Sequence, residues 1–509
     1  MGTVGDGFDA YRTAVAPPVF DDRTRDACIV VPGIMGSVLE DTATGARLWG
    51  ADLTMLTNPL TGKGFLSTLH ADPEERDADA DTARRRPLTR IRAAALLATP
   101  WWLPVFEGLD PYTDLGKTLQ KVTLHPDAVA PFPYDWRLAV AYNGALLARK
   151  ARAHLTAWRK AVAARPGWRA AGEERPRLVF AAHSMGGLVV RAALEQDPEL
   201  AADIRAVITI GTPFLGSAKA VLTLNLLHAE AKPSWLLRHV HELAVTLPGV
   251  HDLLPGYRCL DRGLDIDRLT PADVARFGGD EHLAARSLGE YARHREHGFT
   301  LPGHRAIVGE AQTTVQTLDE ENRFGHPVAV GRHHAFRINP DHELVRDPDT
   351  GIPARHNTYG DGTVHQQSAQ VGTQAIHYVF GQHGTLPRHD EVLRQVRRIA
   401  LECDTSLGAH LGSRNGPGLS IPHLGGTAGQ PLVLQVTGRD TPAGVSLAVN
   451  SATTGRPGPP LRLRRSADDP DQTLSARFIP DTPDLYRVVL DTGSDAPITQ
   501  LVLVSPTHA

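Results

Sequence analysis

The sequence predicts an α/β protein with a mainly parallel sheet, followed by a small β-sandwich-like segment. Three observations carry this. Short β-branched apolar runs recur up to about residue 400, and stretches with helical apolar spacing separate them. Beyond residue 430 the pattern changes to apolar/polar alternation broken by turn signals.

The first run, ACIVV from Ala27, closes on Pro32-Gly33 and reads as a buried strand entering a tight loop. The same form returns at Arg177-LVFAAHSMGG, Ile204-RAVITIGTP, His304-RAIVGE and Ala375-IHYVFG. Between these runs, Leu138 to Ala164, Gly187 to Glu195 and Asp390 to Ala400 have the spacing of amphipathic helices. Two stretches interrupt the alternation, at about 50–111 and 216–302. The second reads as helical, and both would lie on loops at the sheet edge, where caps over sites are built. We therefore expect residues 1–406 to form the α/β domain, 407–430 a Gly/Pro/Ser-rich linker, and 431–509 an antiparallel sandwich-like domain.

The 509 residues carry 53 Lys+Arg against 57 Asp+Glu, with 41% hydrophobic and 22% charged residues. That balance fits an ordinary globular chain and excludes a polybasic nucleic-acid binder or a disordered acidic protein. Cys28, Cys259 and Cys403 are odd in number and far apart, which argues against a disulfide framework and for a reducing compartment. The stretch Met1 to Asp26 lacks a basic start followed by an apolar run, and no eighteen-residue apolar run occurs. The expectation is a cytoplasmic protein, peripheral to membrane at most.

Chemistry concentrates at Ala182-His183-Ser184-Met185-Gly186, which follows a strand pattern and opens a helix pattern. This is the setting of a nucleophile elbow, in which the Ser184 hydroxyl projects above the sheet edge and the Met185 amide faces a developing oxyanion. The fit is A-x-S-x-G, a methyl away from the usual glycine. Serine needs a base to take its proton, and the base needs a third group to hold its tautomer. In α/β-hydrolases the chain order is Ser, Asp or Glu, then His. Asp361, in the Gly-flanked loop GDGTV, and His383, just after the last expected strand, meet that order. Of 24 histidines, His365 and His377 are poorly placed, and His389, at the start of the final helix, is the rival. A second oxyanion amide is expected from Ile34, in the Pro32–Ser37 loop whose Gly33 and Gly36 permit close backbone approach.

VPGIMGSVLE, PFPYDWR, AHSMGG, TPFLGS, HDLLPG and GDGTV, in this order, resemble the lecithin:cholesterol acyltransferase family of α/β-hydrolases, which includes lysosomal phospholipase A2 and bacterial lipases. The resemblance spans roughly Cys28 to Ala400. It implies Ser184 as nucleophile, Asp361 and His383 as its partners, and Ile34 with Met185 as oxyanion hole. It also implies that the first insertion contacts membrane and the second forms a lidded cap.

Substrate or membrane contact is expected of Trp101 and Trp102, held by prolines in an extended stretch, with Arg84 to Arg86, Arg90 and Arg92 nearby. Asp135-Trp136-Arg137 reads first as a buried ion pair tying a strand end, with Trp136 lining an acyl pocket as the alternative. His333, His334 and His342 match no metal-ligand spacing, and neither metal nor cofactor is called for. The expected function is a serine hydrolase cleaving lipid esters, with glycerophospholipids as substrate. One alternative is an O-acyltransferase passing the acyl group to an alcohol. A reading of another class is a partner-binding module, its C-terminal domain recruiting a protein and its hydrolase core vestigial.

Overall fold

The computed structural model describes residues 23–50, 67–97, 112–165, 175–227, 235–336, 344–357, 359–373, 375–401, 417–421, 425–439, 441–465, 474–492 and 497–506. Its centre is a six-stranded sheet. The strands are β1 (Ala27–Val31), β2 (Val129–Pro131), β3 (Leu178–His183), β4 (Ile204–Ile210), β5 (His304–Glu310) and β6 (Ile376–Phe380). They lie in the order β6-β5-β4-β3-β1-β2, and every pairing is parallel.

A parallel sheet is covered on both faces, which is why its strands read as continuous apolar runs. Successive side chains of a strand point to opposite faces. Ala27, Ile29, Val31, Phe180 and Val207 accordingly enter one hydrophobic cluster, while Cys28, Val30, Val179, Ala181 and Ile208 enter another. The first face is covered by α2 (Val140–Ala163) and α3 (Met185–Gln196). The second is covered by α1 (Thr113–Val122) and α5 (Asp390–Ala400), through Leu115, Leu119, Val392 and Val396. The core is that of an α/β-hydrolase. The sequence reading missed β2, a three-residue edge strand ending in proline.

The 216–302 stretch is less purely helical than expected. It holds α4 (Glu281–His297) and shorter helices, but also strands Arg258–Asp261 and Ile266–Arg268. The former pairs in parallel with Thr317–Arg323, so distant chain supplies the partner that short-range pattern could not reveal. In the first insertion, Ile91–Leu96 pairs with Ser37–Asp41. Arg84, Arg86, Arg90 and Arg92 each pair with a carboxylate there, so they act as local ion pairs.

At the C-terminus two four-stranded sheets share one hydrophobic cluster, built from Leu434 and Val436 on one side and Val488, Leu490 and Val502 on the other. Two corrections apply. Residues 418–420 and 425–427, read as linker, are strands, and 425–427 pairs in parallel with Ile498–Ser505 in a sandwich expected to be antiparallel. Glycine-rich edge strands carry little apolar pattern, so composition conceals them. The Leu419 amide donates to Gln312 Oε1 at 3.0 Å, joining this segment to the loop beyond β5.

Cys28 and Cys259 are free and buried, and burial pushes both thiols up to about 12; Cys403 lies outside the described residues. No helix among the described residues is long and apolar enough to cross a membrane.

Candidate active site

Ser184 sits between the end of β3 and the start of α3 with φ at 52°, a left-handed conformation rare for a side chain with a Cβ. Its amide donates to the Ile210 carbonyl at 2.9 Å, which fixes the turn against β4. The turn closes only because Gly186 has no side chain. A Cβ there would lie 2.5 Å from the Pro32 carbonyl oxygen and 2.6 Å from that of Val31. The same closeness brings the β1 loop beside the serine. Met185 is the first residue of α3, so its amide has no intrahelical acceptor, and among the described residues neither it nor the Ile34 amide donates to another protein group. The Gly33 amide is committed to the Tyr112 hydroxyl at 2.8 Å.

His383 opens a short 3-10 helix just past β6. Its Nε2 lies 2.8 Å from Ser184 Oγ and its Nδ1 lies 2.7 Å from Asp361 Oδ2. The other Asp361 oxygen, Oδ1, accepts the amides of Thr363 at 3.0 Å and Val364 at 2.7 Å, and the His383 amide donates to the Asp361 carbonyl at 2.9 Å. Asp361 is 1% exposed. Gly211, with φ at 59°, leaves room for the pair, since a Cβ would lie 2.9 Å from Asp361 Oδ2. The strand before Asp361 is Tyr359–Gly360, which pairs with Gln312–Thr313 outside the central sheet. An imidazole hydrogen-bonded to both a hydroxyl and a buried carboxylate can accept the hydroxyl proton and be held in one orientation.

The rival His389 instead caps α5, its Nδ1 accepting the Glu391 amide at 3.2 Å. His365 caps Gln366–Ala369 in the same manner, and His377 Nε2 lies 2.9 Å from Glu391.

One contact has no signature in the sequence. His183, next to the serine, lies 3.0 Å through Nδ1 from the Tyr112 hydroxyl and 3.0 Å through Nε2 from the His383 carbonyl. The Tyr112 oxygen accepts from Gly33, so its own proton goes to Nδ1 and the Nε2 proton to the carbonyl; the tautomer is assigned from this network. Burial, and secondarily the nearby His383, hold the His183 pKa well below the usual histidine value. A neutral ring thus links the β1 loop to the backbone of His383. Tyr112 is 71 residues from His183, and spacing alone could not have joined them.

Trp136, the alternative acyl-pocket residue, is 3% exposed and packs edge-on against Trp49 at 5.4 Å. Its neighbours form the buried ion pair, Arg137 meeting Asp135 Oδ2 at 2.6 Å and Glu75 Oε1 at 3.0 Å. Burial alone would raise the Glu75 pKa, but hydrogen bonds from Arg90 and Arg137 and their charges hold it below its ordinary value. Trp101 and Trp102 lie outside the described residues. Glu195, Glu290 and His294 hold ligand atoms within 4.8 Å of one another. Arg293 donates to both carboxylates, so their charge is already paired within the protein. These acids line a cavity of about 260 Å³ with Leu188, Arg191 and Tyr291, apart from Ser184, Asp361 and His383.

The fold and this arrangement define an α/β-hydrolase. Residues 47–259 match the family profile described as Lecithin:cholesterol acyltransferase, the family that the sequence motifs resemble. That stretch contains Ser184 but ends before Asp361 and His383. The match bespeaks lipid-ester chemistry in general, hydrolytic or acyl-transferring. Among curated proteins no match was found. Similar solved structures include the Tle4–Tli4 complex, at 14% identity over 73% of this chain and 97% of that one, with a TM-score of 0.42. Another is Bacillus licheniformis lipase BlEst2 in its propeptide form, at 12% identity over 94% of this chain and 73% of that one, TM-score 0.30. The Lin-41 filamin domain is similar at 14% identity over 17% of this chain and 90% of that one, TM-score 0.14. At these scores the likenesses carry no argument about the site.

Proposed function

We propose that the protein is a serine hydrolase that cleaves lipid esters, glycerophospholipids first among them, through an acyl-enzyme on Ser184. The supporting observation is the unbroken hydrogen-bond series from Ser184 Oγ through His383 to Asp361, at 2.8 and 2.7 Å. In the proposed reaction His383 Nε2 takes the Ser184 proton as Oγ attacks the ester carbonyl, and the Asp361 carboxylate stabilises the imidazolium. The Ile34 and Met185 amides receive the oxyanion. The alcohol leaves with the proton from His383, and water, activated by the same nitrogen, attacks the acyl-serine.

Membrane approach is peripheral in this reading. The segment after residue 430 is a domain in its own right, supported by its separate hydrophobic cluster. The test is product analysis by mass spectrometry after incubation with a defined phospholipid, with and without a long-chain alcohol. Free fatty acid with the wild type, reduced on the order of 10⁴ to 10⁶ in Ser184→Ala, is expected. Acyl-alcohol as the main product would assign transfer instead. Undiminished turnover in Ser184→Ala would refute the proposal.

A further inference from the structure

Four non-glycine residues among those described have left-handed backbone: Met35, Ser184, Ala311 and Phe324. Such strain is costly and persists where the surroundings or function require it. Three of the four border the candidate active site. Met35 follows Ile34 in the β1 loop, Ser184 is the elbow, and Ala311 lies between β5 and Gln312, which bridges to Asp361. Phe324 is the exception. It forms with Gly325 a two-residue hairpin loop, with φ of 53° and 81°, between Thr317–Arg323 and His326–Arg332. A loop with both φ positive favours Asn-Gly or Asp-Gly, and a phenylalanine in its first position is a poor fit. Nor does packing repay the strain, because Phe324 is 62% exposed.

The neighbourhood of this tip is unusual in the same sense. The turn after Arg258–Asp261 presents Leu264, 68% exposed. That strand runs parallel to Thr317–Arg323, with Leu260 opposite Leu318, so both turns emerge from one end of the sheet. Arg262 joins them by donating to Glu320 at 2.7 Å. Val345, also exposed, is tethered there through Arg346, which donates to the Leu264 carbonyl at 2.5 Å. Acids beside the two turns are charge-paired: Glu320 with Arg262 and Arg276, Glu321 with Arg323 and Arg332, Asp261 with Arg355, and Asp265 with Arg346. The hairpin also begins next to the site, since Thr314 Oγ1 accepts the amide of Gly362, the residue after Asp361, at 3.0 Å.

We propose that this end of the sheet is a bilayer-contacting tip, with Phe324 as its anchor and Leu264 as its second apolar point. Charge-paired flanks and a narrow aromatic turn suit shallow entry into a phospholipid headgroup layer rather than the broad packing of a protein interface. The inference rests on the proposed lipid-ester function, for it supplies that site with its substrate surface.

Phe324→Asn tests it, because Asn-Gly suits the loop and the fold should gain stability while membrane contact is lost. The full chain is sedimented with phosphatidylcholine vesicles containing phosphatidylglycerol, and its activity is read on vesicle phospholipid and on a soluble short-chain ester. We expect vesicle partitioning and vesicle hydrolysis to fall roughly tenfold in Phe324→Asn and further in Phe324→Asn with Leu264→Ser. The melting temperature should hold or rise, and soluble-ester turnover should be unchanged. Wild-type partitioning by both variants would overturn the proposal. So would failure of the wild type to sediment, together with self-association that Phe324→Asn abolishes, which would assign the tip to protein contact. A wild type that binds vesicles through Phe324 yet cleaves neither ester would refute the hydrolase reading and keep the tip.

Discussion

Lowering the pH should destabilise this chain through four buried imidazoles, His183, His251, His304 and His365, none more than 5% exposed. Burial is the leading cause in each case, bringing His251 and His304 to about 4, His365 to about 3 and His183 well below its usual value. Hydrogen bonding agrees with neutral rings. His251 Nε2 accepts the Asp280 amide at 3.1 Å, and His365 Nδ1 accepts that of Ser368 at 3.3 Å, so a proton on either nitrogen would break a bond. In the unfolded chain each ring titrates near ~6.5, so below that pH the unfolded state binds more protons and stability rises with pH. The contribution is full above ~6.5 and is lost progressively as the pH falls toward the folded values. One pH unit below the unfolded value each ring costs about 1.4 kcal/mol, so the four together remove on the order of 5 kcal/mol between pH 8 and 5.5. Urea unfolding at constant ionic strength measures this directly. In His365→Asn, which keeps a side-chain helix cap, the pH dependence should shrink by about a quarter. An unfolding free energy level from pH 8 to 5.5 would refute the reasoning.

Two further outcomes are expected. Asp361→Asn keeps the contact with His383 but favours the wrong tautomer, and should lower kcat on a soluble ester by roughly 10⁴ while circular dichroism is unchanged. Arg137→Met strands the buried Asp135 and Glu75 carboxylates, and should cost about 3–5 kcal/mol by urea unfolding.

The parts legible in the sequence are those that local chemistry dictates. Strands buried on both faces must be apolar throughout, and five of the six central strands stood out for that reason. The strand-to-helix turn at Ser184 was readable because it demands small residues, and the place of His383 because the loop after the last strand borders the same sheet edge. What escaped depends on distant chain. Glu75, the second acid on Arg137, lies 62 residues away, and the Tyr112–His183–His383 linkage joins three separate segments. Arg258–Asp261 finds its partner strand beyond residue 316. Near-neighbour pattern holds no record of such pairings, because tertiary packing selects them after the local elements exist.

In the proposed mechanism Ser184 is nucleophilic because His383 and Asp361 make it so. Peptide mapping after exposure to a fluorophosphonate probe tests this most directly. One adduct is expected, on Ser184, nearly abolished in His383→Ala with the fold intact. Equal labelling of His383→Ala, or an adduct on another serine, would contradict it.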